Sequence, residues 1–187
     1  MLFRSGAPAP AQQQRPQVAP PAQPAPAQPA QQQPAPTVRN FDDWAMLCDR
    51  PAGATRDVCF VYQQISLANG NQRLLLTRAG QPNTEGTSTL AFTLPLGSRL
   101  TAGMAMKVDE NPQIQGTFQV CLADGCVATY PLDAGLLQQM NNGKQAVVAL
   151  IDHGNGQQVN VNVSLNGFAA AYKALPNPPP QIGRAHV

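Results

Sequence analysis

The sequence predicts an all-β domain, an antiparallel β-sandwich or partly closed barrel with one or two short helices. Three observations point there. The stretch Gln157–Leu165, QQVNVNVSL, alternates valine or leucine with asparagine or serine after its two glutamines. That is the period of a strand with one buried and one wet face. Short β-branched and aromatic runs recur along the chain with turn residues between them, the spacing of hairpins rather than of crossover units. The four cysteines fall into two local pairs, each set on runs that read as neighbouring strands.

Taken in order, the chain opens with a leader. Nearly every residue from Gly6 to Pro36 is proline, alanine or glutamine. Such a segment has little bulky apolar surface to bury, so it cannot offset the entropy of ordering. Residues 1–37 are expected to be a disordered linker. In polyproline II form, at roughly 3.1 Å per residue, it would reach on the order of 90 Å. That suits an inert spacer or a tether. Folding is expected over 38–175, about 135 residues, a comfortable size for one core. Residues 176–187 are expected to be a disordered tail. Met1–Ser5 and the last six residues, IGRAHV, read as translations of opposite strands of one short DNA segment. The expectation is that both are artefactual and that the natural N-terminus, with an export signal, is missing.

Within the domain, Trp44–Cys48 is the first expected strand. VCFVYQQI and QRLLLTR flank ANGN, a hairpin signal. Ser88–Leu94, Met104–Val108, Thr117–Leu122 and Val127–Tyr130 follow. DAGLLQQMNNG reads as a helix with Asp133 as N-cap, Leu136, Leu137 and Met140 on one face, and Gly143 as its stop. Gln145–Asp152 and Gln157–Leu165 form a hairpin through HGNG. GFAAAYKAL, from Gly167, reads as a short terminal helix stopped by Pro176.

The expected pairs are Cys48 with Cys59 and Cys121 with Cys126. Asp124-Gly125 is a turn dipeptide that would fold the strands bearing Cys121 and Cys126 against each other. Facing Cβ atoms there lie about 4.5–5.5 Å apart, within reach of a disulfide after modest twist. Zinc sites usually space paired cysteines two to four residues apart, and the longer interval here argues against zinc. The sequence holds no CxxC for thiol exchange. Disulfides persist in oxidising compartments, so the periplasm or cell exterior is the expected location.

Charge excludes one class of partner. Between Arg39 and Lys173 nine lysines and arginines meet ten acids. No basic stripe stands out, so no nucleic-acid partner is expected. No apolar run approaches the ~20 residues of a membrane-spanning helix. Catalytic signals are thin. His153, beside Asp152, sits in an expected turn. A triad with Ser66, Ser88, Ser98 or Ser164 can be drawn, but the sequence has no GxSxG elbow. Asp109 and Glu110 are adjacent, so on a strand they would face opposite ways. Trp44, Phe60, Tyr62 and Phe118 are expected in the core. No catalytic residue, cofactor or metal site is assigned.

Trp44 and Cys48, then Cys59, LPLGSRLTAGMAMKVD, CLADGC and SLNGFAAAYKAL resemble, in order and spacing, the invasion-associated locus B family of alphaproteobacterial envelope proteins. The similarity runs from about Phe41 to Leu175. It implies a small, β-rich, disulfide-containing secreted or periplasmic protein, in a family named for host-cell invasion, and it carries over no catalytic residue. The expected function is therefore a non-enzymatic envelope domain binding a protein or cell-surface partner. The rival is an envelope hydrolase or carbohydrate-acting enzyme with a site near His153.

Overall fold

The computed structural model describes residues 35–68, 70, 72–80 and 88–176. Residues 1–34 of the expected leader, 177–187 of the tail, 81–87, and Asn69 and Asn71 of the ANGN turn lie outside the described residues. Among the described residues eleven strands and two α-helices follow one another: β1 (Thr37–Phe41), β2 (Trp44–Asp49), β3 (Val58–Ser66), β4 (Arg73–Gly80), β5 (Thr89–Leu94), β6 (Met104–Val108), β7 (Ile114–Gly116), β8 (Phe118–Leu122), β9 (Gly125–Pro131), α1 (Ala134–Asn142), β10 (Gln145–Ile151), β11 (Gln158–Ser164) and α2 (Phe168–Lys173). A 3-10 turn, Leu100–Ala102, precedes β6.

The strands form two antiparallel sheets. The larger runs β1-β2-β3-β4-β5-β9-β8 and the smaller β11-β10-β6-β7. Neither closes on itself, so the architecture is a sandwich and the barrel alternative falls away. The chain lays down β1 to β5 as a meander and crosses to the second sheet for β6 and β7. It returns as β8 and β9, then crosses again for β10 and β11.

One core fills the space between the sheets. Val61, Leu75, Ala79, Leu90, Phe92, Ala128 and Tyr130 face Met104, Met106, Val108, Ala146, Val148 and Val163. Burying one such large aliphatic or aromatic side chain contributes roughly 1.5–3 kcal/mol. Leu136 and Met140 of α1 complete the core, and Leu137 packs partly against it. The carboxylate of Asp133 accepts the Leu136 amide at 2.8 Å, so the expected N-cap is in place. The Gly143 amide closes the helix onto Gln139 O.

Four local readings are corrected. β1 was not expected: its residues are exposed or half-exposed throughout, so the strand has no buried face to print a period of two on the sequence. β7, three residues long, was merged into the loop before β8. Phe60 and Tyr62 are not core. They alternate with buried Cys59, Val61 and Gln63, and therefore stand half-buried on the outer face of the larger sheet. Val159 shares the inward face of β11 yet is 38% exposed, because that strand is a sheet edge and its far end runs past the core.

Two glycines allow close approach. A Cβ on Gly125 would stand 2.3 Å from Leu94 O, and one on Gly116 would overlap the Tyr130 ring. Without them β9 could not lie against β5, and the chain could not turn the corner from β7 into β8.

Candidate binding surfaces and disulfide corners

The cysteine pairs sit directly opposite one another in register. Cys48 faces Cys59 across β2 and β3, and Cys121 faces Cys126 across β8 and β9. Both are disulfide-bonded, with Cα atoms 4.1 and 3.9 Å apart. Narrow spacing of this kind belongs to the non-hydrogen-bonded positions of an antiparallel ladder. The turn at the second corner differs by one residue from expectation. Ala123 and Asp124 make the loop, and Gly125 already pairs with Leu122. Arg73 reaches this corner, donating to the Asp124 carbonyl at 2.6 Å. Cys59 and Cys126 are buried and Cys121 is exposed, so a reductant meets the second bridge more readily than the first.

The residues from which a triad can be drawn make local contacts. Asp152 organises its own turn: its carboxylate accepts the Asn155 amide at 2.9 Å, and its carbonyl accepts the Gly156 amide. His153 is exposed. Its backbone amide donates to Gly97 O, and its ring has no hydrogen-bond partner among the described residues. Of the four serines, Ser98 alone pairs with this turn, bridging to Asp152, and its hydroxyl donates to Pro95 O. Ser164 donates to Asp43 at 2.6 Å, and Ser88 accepts from Tyr172. Among the described residues no group of three or more His, Cys, Asp or Glu is placed to hold a metal ion.

Asp109 is exposed and also organises the backbone around it. It takes a positive φ of 44°, and its carboxylate accepts the Lys144 and Gln145 amides at 3.0 Å each. It thus ties the end of β6 to the start of β10. The single signal in the sequence was its place directly after a strand.

Gln63 was missed altogether. It is buried on the inward face of β3. Its amide nitrogen donates to Asp43 O at 2.9 Å and Ser164 O at 3.1 Å, and its amide oxygen accepts the Ser164 amide at 3.1 Å. The Trp44 indole adds a bond of 2.8 Å to the same Ser164 carbonyl. One glutamine therefore behaves as a strand neighbour to Ser164 and welds the two sheets. Beside it Trp44 meets Phe168 edge-on at 4.9 Å, a geometry favoured by the ring quadrupoles.

Two open surfaces stand out among the described residues. The outer face of the larger sheet carries Phe60 and Tyr62, with ring centroids 6.2 Å apart and the Arg78 guanidinium 5.8 Å above Phe60. Half-buried aromatics beside arginine are the composition of binding hot spots. The outer face of the smaller sheet holds a shallow trough of about 160 Å³, lined by Ala105, Ala149, Gln113, Gln115 and Gln158 among others. It falls below the roughly 300 Å³ at which small-molecule pockets begin. Burial pushes the Tyr130 hydroxyl up to about 12.

Comparison with known proteins agrees with this geometry. A family model described as invasion associated locus B (IalB) protein matches residues 44–176. The chain is 29% identical over 131 residues to an Invasion protein B homolog of Brucella abortus strain 2308, covering 70% of this chain and 74% of that one. It is 26% identical over 135 residues to Invasion protein B of Bartonella bacilliformis, covering 71% and 70%. The crystal structure of invasion associated protein b from Bartonella henselae has the same fold, with a TM-score of 0.64 and 22% identity over 73% of this chain and 92% of that one. The matched span runs from the buried Trp44 past the packed helix α2, through both cysteine corners, and the chain belongs to the invasion associated locus B family.

Proposed function

We propose that the protein is a non-enzymatic envelope protein, periplasmic or secreted, whose stapled β domain binds a protein or cell-surface partner. The observation that carries this reading is the closure of both disulfides between adjacent strands, because such bonds persist where thiols are not kept reduced. Family membership supports it: the Brucella and Bartonella relatives are named as invasion proteins. Among the described residues no helix is long and apolar enough to cross a membrane, which is compatible with such a location. The face bearing Phe60, Tyr62 and Arg78 is the binding surface on this reading. The proline-rich leader is the spacer that carries it outward.

The test is a capture experiment on envelope extract with immobilised oxidised protein, reduced protein and an F60A/Y62A variant, with bound species identified by mass spectrometry. A defined partner held by the oxidised protein and lost with the double variant supports the reading. Equal capture by all three refutes the surface. Four titratable thiols in natively purified protein refute the location.

A further inference from the structure

We propose that β11 is a self-pairing edge through which two copies of the chain join their smaller sheets into one continuous antiparallel sheet. Hydrogen-bond parity decides which residues of β11 face outward. The Leu165 amide donates to Lys144 O at 3.0 Å, and the Asp152 amide donates to Gln157 O at 2.9 Å. Both pairs continue the register of β10 with β11, and both involve odd-numbered positions on the β11 side. Bonded and non-bonded pairs alternate in an antiparallel ladder. Val159, Val161 and Val163 therefore spend their backbone groups on β10. Gln158, Asn160, Asn162 and Ser164 turn theirs outward. Gln63 takes up the outward groups of Ser164. The other three residues are exposed, and they offer a row of donors and acceptors.

The other sheet edges are blunted by the usual devices. β7 has three residues. β8 is broken by a register shift between Phe118 and Val120. β1 has five residues and carries Arg39. β11 has seven residues, unbroken register, no charge and no proline.

The occupant is a second copy because the edge is its own complement. A two-fold axis at Asn160 sets Asn160 against Asn160 and Gln158 against Asn162 of the second copy. These are the outward positions, so three pairs can exchange two backbone bonds each. On the inward face Val159 then lies against Val161 of the second copy, which covers the valine left 38% exposed in one chain. No like charges meet across the seam. The folded part carries nine cations and ten acids between Arg39 and Lys173, so its copies do not repel strongly. A seam of one strand pair buries little area, and the association is a weak one.

The parity selects the test. Asn160→Pro removes an outward amide and breaks no β10–β11 bond, as edge strands tolerate. Asn160→Lys sets two cations face to face on the axis. Sedimentation equilibrium of the oxidised full chain over a wide concentration range should show a monomer–dimer equilibrium. Each variant should weaken it at least tenfold, with unchanged thermal melting at dilution. In the wild type, hydrogen exchange at Gln158, Asn160 and Asn162 should slow as concentration rises, while Val159, Val161 and Val163 are slow at every concentration. A wild type that stays monomeric overturns the proposal, including one whose edge pairs with a foreign strand peptide instead. So does a dimer indifferent to both substitutions, or one whose outward amides gain no protection.

Discussion

Replacing Gln63 by leucine tests whether one side chain joins the two sheets. The substitution keeps the volume and removes three hydrogen bonds, to Asp43 O at 2.9 Å and to the carbonyl and amide of Ser164 at 3.1 Å each. The Ser164 carbonyl keeps the Trp44 indole. The Ser164 amide, turned away from β10, keeps nothing. Each lost bond costs about 1 kcal/mol net, and a donor left buried costs about 1–3 kcal/mol. Added apolar burial returns part of this, so the expected loss is roughly 2–4 kcal/mol. For a domain of this size that lowers the melting temperature by about 8–15 °C. The assay is thermal and urea denaturation of the oxidised protein followed by circular dichroism. Gln63→Glu provides the sign. Its carboxylate can still accept the Ser164 amide but opposes the carbonyls of Ser164 and Asp43, so at pH 7 it should be the worse of the two. It should recover as acid protonates it and restores a donor. A leucine variant within about 3 °C of wild type, or a glutamate variant more stable than it at pH 7, refutes the weld.

The remaining predictions follow from single contacts. Burial holds the Tyr130 proton up to about 12 in the fold, against about 10 in the unfolded chain. Its stabilisation is complete below pH 10 and is lost as pH rises from 10 to 12, since the unfolded chain releases the proton first. The loss is at most roughly 3 kcal/mol, and rapid alkaline denaturation of Y130F should lack that component. Breaking the Cys121–Cys126 bridge as C121A/C126A, a loop with sequence separation 5, should cost about 2 kcal/mol in the chain-entropy model, and C48A/C59A nearer 3 kcal/mol. Denaturation that ranks them the other way refutes the loop argument. Timed reduction with thiol trapping should open Cys121–Cys126 before Cys48–Cys59, because Cys121 is exposed. Gly167→Ala should cost about 3 kcal/mol or more. Gly167 has φ 87°, and its Cβ would stand 2.0 Å from Phe41 O. A melt within 2 °C of wild type would contradict this.

The parts legible in the sequence were those with a repeating physical cause. β11 announced itself because Val161 and Val163 are buried while Asn160 and Asn162 are wet. The helix at 134–142 was framed by a capping aspartate and a terminal glycine. β1 was silent because exposure leaves no alternation. Phe60 and Tyr62 were assigned inward because aromatic residues in a strand suggest core. Yet period two allows only one face of β3 inward, and Cys59, Val61 and Gln63 hold it. Gln63 itself could not be read from the chain. Its partners are 20 and 101 residues away, and a glutamine between tyrosine and glutamine looks like solvent-facing sequence. The same distance in sequence hid Asp109, whose partners are 35 and 36 residues on.

These long-range polar ties explain how a sandwich with open sheets keeps its layers aligned. Apolar packing between sheets is non-directional; it holds the layers together but fixes their relative slide weakly. Gln63 and Trp44 supply direction. They clamp β2 and β3 to Ser164 of β11, while Asp109 ties the neighbouring strands β6 and β10 within the smaller sheet at the same end, since Gln145 pairs with Ser164. The cysteine bridges lie within the larger sheet only, across β2–β3 and β8–β9. The disulfides and the Ser164 clamp therefore divide the work: the first hold neighbouring strands in register, the second holds sheet against sheet. Reduction should accordingly loosen the β2–β3 and β8–β9 hairpins while the Ser164 corner keeps its slow hydrogen exchange. If reduction instead exposed the Ser164 amide as fast as those of β8, the two sets of ties would be one cooperative unit and the division would be wrong.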